Sequence, residues 1–309
     1  MKEDYPRTLM ELERRFSTDE ACRQYLFQLR WPAGFVCPRC GGTHAGPMAR
    51  GRWLCRGCRY QAAVTAGTIF HDSHLPLTTW FRALWYVTTP KPGVSALGLQ
   101  RVLGLGSYRT AWVLLHKLRR AMVRPGRDRL QGLVEVDETY WGAEEAGAVG
   151  RWTEAKALVM VAAEADGRGI GRIRLRRLSA LTRPQVQAFL HAAVAPGSLL
   201  RTDGLNVYRG LEGYGHDRHV QRAQAPGEHL LPRVHRVVSL MKRWLLGTHQ
   251  GAIGHDHLDA YLDEFVFRYN RRSSGRPTLP FQRLCAIAVL TRPVTYRRIV
   301  EEAQLLGAA

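Results

Sequence analysis

Long apolar runs are missing from this sequence. No stretch of about 18 apolar residues occurs, so no membrane-spanning helix is expected. The opening MKEDYPRTLMELERRF holds no apolar signal core. The expected compartment is therefore the cytoplasm, beside the nucleoid in a prokaryotic cell. Internal repeats and low-complexity segments are lacking too. Acidic residues are scarce: 26 Asp and Glu face 45 Lys and Arg, a net charge of +19 over 309 residues. An excess of that size points to a polyanionic partner, nucleic acid first. What is present in quantity is apolar material, 45% of the chain, enough for a substantial core in two or three compact units.

The six cysteines are Cys22, Cys37, Cys40, Cys55, Cys58 and Cys285. Four form the pairs CPRC and CRGC, with 14 residues between them. In a reducing compartment such pairs point to metal rather than disulfides. Four thiolates make a closed tetrahedral zinc site, which is structural because no position remains for substrate. Free thiols and an iron–sulfur cluster are the alternatives. His44 is a spare ligand type that four cysteines make unnecessary. Cys22 and Cys285 read as core-facing helix residues.

Thr18 is placed to cap a helix carrying Ala21, Tyr25, Leu26 and Leu29. Residues 75–125 read as helical. Ser95 and Ser107 are N-cap candidates on either side of the GLGS break. The second of these helices places Tyr108, Ala111, Trp112, Leu115 and Leu118 on one face. Two helices joined by a short Gly turn suggest a helix-turn-helix, with Arg109 and Lys117 as DNA contacts. A plain helical hairpin is the alternative.

The third part alternates strands and helices. LVEVDETYW (133–141) reads as a strand. KALVMVAAEADGRG (156–169) reads as a strand buried on both faces. GRIRLRRL sets Ile173 and Leu175 against Arg172, Arg174 and Arg176, so one of its faces should be wet and basic. TRPQVQAFLHAAV opens with a capping box, Thr182 to Gln185. GSLLRTDG (197–204) is a fourth strand, and HDRHV (216–220) reads as a fifth. VHRVVSLMKRWLLGTHQG then gives an amphipathic helix with Val234, Val238, Met241 and Leu245 buried. This order suits a ribonuclease H-like α/β core with a mixed sheet and helices on both faces. The expected divisions are 1–33 N-terminal helices, 34–72 zinc ribbon, 73–126 helix-turn-helix-like region, 127–285 catalytic domain and 286–309 C-terminal tail.

Asp137 lies inside the first of these strands and Asp203 ends the fourth. A carboxylate in an apolar strand must be paired or bind metal. Two carboxylates on neighbouring strands repel unless divalent cations neutralise them, and a two-cation site is suited to phosphodiester chemistry. Capping and ion pairing with Arg are the ordinary alternatives. Glu135 and Glu138 flank Asp137 and leave the ligand identity open.

These blocks together, CPRC…CRGC, VEVDETYWG, RTDG…YRGLEGYGHDRHV and VHRVVSLMKRWLLGTHQG…HLDAYLDEFVFRYNRR, resemble the insertion-sequence transposases with an N-terminal zinc ribbon and an ISXO-type DDE domain. The resemblance runs from about residue 15 to 285. It implies two Asp ligands and a third ligand on a later helix, with a Lys seven residues beyond. His235 and Lys242 have that spacing, about two helical turns. The implied metal set is Asp137, Asp203 and His235, holding two Mg²⁺ or Mn²⁺ ions, with Lys242 on the DNA backbone. Glu264 is the competing third ligand; its ordinary role is an i, i+4 pair with Arg268. Arg268, Arg271 and Arg272 are further phosphate contacts. An imidazole ligand should let Mn²⁺ support activity at least as well as Mg²⁺.

The resemblance implies an enzyme that binds terminal inverted repeats, cleaves 3′ ends and joins them to target DNA, as at least a dimer. A regulator retained only for DNA binding and a nuclease that cuts without joining are the rivals. Joined product separates the first from both.

Overall fold

Capping side chains begin the first helices. The computed structural model describes residues 4–124, 126–142, 156–219, 230–272 and 275–307. The Thr8 hydroxyl accepts from the Glu11 N–H at the start of α1 (Leu9–Arg15). Thr18 accepts from Ala21 at the start of α2 (Asp19–Arg30). Each removes one orphan donor of a helix N-terminus. A small antiparallel sheet follows, ordered β1 (Ala45–Met48), β2 (Arg52–Cys55), β3 (Gln61–Ala63). Next come α3 (Leu77–Thr88), α4 (Ala96–Leu103) and α5 (Tyr108–Ala121). Ser95 and Ser107 cap α4 and α5 as expected. Gly104 ends α4 at φ 62°, a left-handed position that a β-carbon would strain.

The second part is a five-stranded mixed sheet. Its strands are β4 (Leu133–Trp141), β5 (Ala157–Asp166), β6 (Gly169–Leu178), β7 (Leu199–Thr202) and β8 (Gly215–Arg218). Their order is β6-β5-β4-β7-β8, with β4 antiparallel to β5 and parallel to β7. The apolar run of β5 is explained by its two covered faces. Val159, Val161 and Ala163 meet the helices α7 (Pro232–His249) and α8 (Leu258–Tyr269). Leu158, Met160 and Ala162 meet α6 (Arg183–Ala193) on the other face.

Strand β6 is an edge, and side chains of α8 and the residue after it occupy part of it. Asn270 accepts from the Ile173 N–H at 2.8 Å and donates to its carbonyl at 3.2 Å; Asp259 accepts from the Arg177 N–H at 3.0 Å. These bonds blunt an edge that would otherwise invite pairing. Arg174 departs from the expected wet face: it is buried and donates to the carbonyls of Ile173 and Asp128. The capping box also fails to close. Thr182 makes no cap bond, and Gln185 instead accepts from Ala180 N–H and donates to Ser179.

Burial pushes Asp263 of α8 up to about 7, opposed by Arg127 and Arg176 and reinforced by Asp259. A carboxyl with a raised folded pKa favours folding while protonated and loses that contribution as pH rises. Asp263→Asn should therefore melt higher than the parent at pH 8, with the gain shrinking towards pH 4; thermal melts across that range check it.

The chain divides into two compact units, Met1–Arg124 with Arg272–Val300 and Pro125–Arg271 with Glu301–Ala309. Residues 272–285, expected in the catalytic domain, thus belong with the first unit. The reason is aromatic packing by α9 (Leu279–Ala288). Phe281 lies 5.9 Å from the Phe81 ring and 6.1 Å from those of Phe16 and Trp85. The expected tail contains α10 (Tyr296–Gly307). Cys22 and Cys285 are buried, as expected of core residues.

Candidate functional site

The four paired cysteines converge. Their sulfurs all lie within 4.8 Å of one another, with Cys37–Cys58 and Cys40–Cys55 each at 3.6 Å. Four sulfurs about 2.3 Å from one ion stand roughly 3.8 Å apart, so the set fits tetrahedral zinc. The backbone prepares it. The N–H groups of Cys58 and Gly57 hold the Cys55 thiol below its ordinary range, against the opposing effect of burial. A β-carbon on Gly42 would stand 3.4 Å from the Cys40 sulfur. Gly41 and Arg59 each follow the second cysteine of a pair at left-handed φ, 74° and 61°.

In the α/β unit, alternation along β4 sorts three acids that pattern alone leaves unresolved. Val134 and Val136 face α6, so Glu135 and Asp137 point to the opposite face, towards α7. Asp137 Oδ2 lies 3.4 Å from His235 Nε2 on α7. Its Oδ1 accepts from the Glu138 N–H. Glu138 points the other way and accepts from the Tyr208 hydroxyl at 2.7 Å. Burial, then Glu138, raises the Tyr208 phenol well above its ordinary value, and Asp137 and Asp203 add to it. Glu135 is fully buried and bonds the start of α7.

Asp203 follows β7 directly, and its Oδ1 accepts from the Leu205 N–H at 3.0 Å. Strand β7 pairs with β4 through Glu135↔Arg201. Two residues further along that register stand Asp137 and Asp203. The structure therefore brings Asp137 and His235 into contact and sets Asp203 just past the end of the neighbouring strand. Among the described residues, only the four cysteines form a group of three or more ligands within 4.8 Å. A 3.4 Å separation suits two donors sharing one divalent cation, whose ligands at about 2.1 Å stand ~3.0 Å apart at right angles.

Helix α7 buries Val234, Val237, Met241 and Leu245; Val237 takes the place expected for Val238, which is partly buried. His235 is half-exposed on the border of that stripe, with its side chain 53% accessible. Lys242 is half-buried, and burial lowers its pKa, with Lys156 adding to the effect. Sequence reasoning did not single out Lys156, Tyr208 or Arg233.

Glu264 is fully buried on α8 and pairs with Arg268 at 3.5 Å. Arg268, expected as a phosphate contact, has a side chain only 13% accessible. Arg268→Met should cost about 3–5 kcal/mol because it strands a buried carboxylate; Glu264→Gln with Arg268→Met should recover most of that in urea unfolding. Lys117, expected as a DNA contact, is half-buried, its pKa is lowered by desolvation, and its ammonium sits 6.0 Å over the Trp80 ring. Arg109 is exposed and stacks on Tyr296 at 4.4 Å. Arg271 lies over Phe267 at 3.8 Å and donates to its carbonyl, while Arg272 is exposed.

No helix among the described residues is long and apolar enough to cross a membrane. The family comparison matches residues 129–270 to the ISXO2-like transposase domain and residues 17–61 to the transposase zinc-ribbon domain. A protein in the transposable element ISH50 of Halobacterium salinarum is 26% identical over 275 residues, covering 82% of this chain and 91% of that relative. With the four-cysteine cluster inside one match and the acidic strand and His235 helix inside the other, the chain carries a transposase zinc-ribbon domain followed by an ISXO2-like DDE transposase domain.

Proposed function

We propose that this chain is the transposase of an insertion element, binding the element's terminal inverted repeats, hydrolysing their 3′ ends and joining them to target DNA. The observation that carries the reading is the 3.4 Å approach of His235 to Asp137, on a helix whose Lys242 lies seven residues further on. Asp137, Asp203 and His235 are the residues that would hold divalent cations, Mg²⁺ or Mn²⁺. Such ions, when bound, activate the attacking oxygen and stabilise the leaving one.

The chain's own contribution is placement. Asp137 sits on the central strand and His235 on the helix covering it, so neither ligand depends on a long loop. Lys242 faces the same way as His235 two turns on and would hold a backbone phosphate of the element's end. In the first step water attacks the phosphorus and the P–O3′ bond breaks, freeing a 3′-hydroxyl. In the second that hydroxyl attacks a target phosphodiester, whose own 3′-oxygen leaves. No covalent enzyme intermediate is needed.

The zinc ribbon and the α4–α5 pair supply end recognition in this reading. Arg109, Arg271 and Arg272 remain as phosphate contacts, and pairing of two ends calls for at least a dimer. The test is incubation of the full chain with pre-cleaved and uncleaved ends of its element, with Mg²⁺ or Mn²⁺ and a target plasmid. Joined product supports the transposase. Cleavage without joining points to a nuclease, and binding without cleavage to a regulator.

A further inference from the structure

Helix α7 starts without a cap of its own. Its N-cap residue Leu231 offers no side-chain bond, and Pro232 has no N–H. The first two N–H groups the helix presents, on Arg233 and Val234, both go to Glu135 Oε2, at 2.7 and 3.1 Å. Glu135 Oε1 accepts from the Arg233 guanidinium at 2.8 Å. That guanidinium also donates to the carbonyls of Gly167 and Gly169 in the β5–β6 turn, each at 2.9 Å. One fully buried carboxylate thus ties together the central strand, the neighbouring hairpin and the helix N-terminus.

We infer that Glu135 is a positioning residue for the His235 ligand: its carboxylate anchors the start of α7 and so fixes the imidazole over Asp137. Glu135 and Asp137 are two residues apart on one face of β4, roughly 7 Å along the strand. His235 directly follows Val234, the second N–H that Glu135 holds. The same strand therefore carries one ligand and sets the height of the helix bearing the other. Both Glu135 oxygens are spent on this anchor, which leaves Asp137 as the acid of β4 facing the imidazole. An ion pair that served stability alone would need only the guanidinium. Here the two backbone N–H groups are taken as well, and they locate the helix rather than the arginine.

The inference rests on the reading of His235 as a ligand, and the test separates the two. Mn²⁺ binding to the full chain is followed by the loss of the free-ion electron paramagnetic resonance signal, beside thermal melting. His235→Ala tests the ligand reading. Glu135→Gln tests the anchor, because the amide keeps the shape and loses the charge; Glu135→Asp should restore part of the affinity. The expected result is Mn²⁺ affinity weakened about 10- to 100-fold in Glu135→Gln, the range of losses when a group orienting a ligand is removed. If Glu135→Gln does not fold, Arg233→Gln carries the same test. A lowered melting temperature with parental Mn²⁺ affinity overturns the inference while leaving the ligand reading intact. Unchanged affinity in His235→Ala overturns the ligand reading, and the positioning role with it.

Discussion

Asp137→Ala and His235→Ala should each lose strand transfer of pre-cleaved ends by about 10³-fold or more, while Glu264→Gln keeps it. Removing one group that stabilises developing charge in a transition state costs about 10²–10³-fold, and a metal ligand supports both the attacking and leaving oxygens. Pre-cleaved ends isolate the joining step, so a defect cannot arise from failed hydrolysis. Glu264 serves as the internal comparison because it is chemically eligible yet fully buried beside Arg268. Gln keeps its shape but removes the charge paired with Arg268, so a thermal melt beside the assay separates a lost ligand from a weakened fold. The metal dependence follows from the same set. Exchanging a carboxylate for an imidazole removes a negative charge and adds a softer donor, so Mn²⁺ should serve at least as well as Mg²⁺. A dead Glu264→Gln with an active His235→Ala would reassign the third ligand to α8. A clear Mg²⁺ preference would count against the imidazole.

The acids of β4 show what was legible in the sequence. Three carboxylates in four residues of an apolar strand marked the place and left the ligand among them open. The pattern could not say that the covering helix would begin over Glu135 and carry a histidine over Asp137. The apolar run of β5 was readable as double burial because few other environments tolerate it. Features set by a single long-range partner were not readable. Lys117 looks like any solvated cation until Trp80 is placed beside it. Arg174 alternates as a surface residue yet lies buried, with carbonyls of Ile173 and Asp128 as acceptors. On α7 the difference between Val237 and Val238 is one step of about 100°, finer than a hydrophobic stripe defines. Nor does chain order tell which core an apolar helix joins, so α9 was grouped with its sequence neighbours rather than with Phe16 and Phe81.

Stripping the ribbon's metal, or Cys55→Ser, should abolish selective binding to the element's ends while leaving general DNA affinity. The sheet holding the cysteines has strands of only four, four and three residues. Such a sheet is too small to be stable without a staple. Structural zinc supplies roughly 10–16 kcal/mol of apparent binding free energy in small domains, which is folding free energy. Its removal should therefore unfold the ribbon and release the stacked Phe27–Trp53 pair, now 4.6 Å apart. Near-ultraviolet circular dichroism reports that loss. Metal analysis of the purified chain should find one zinc per chain; iron would assign the cluster alternative instead. Specific DNA binding typically exceeds non-specific binding by about 10³-fold or more. Affinity for the ends should fall to the level for unrelated duplex, which the remaining positive charge sustains and salt weakens. If the zinc-free chain still prefers its ends by the parental factor, the ribbon is a spacer, and recognition passes to α4 and α5.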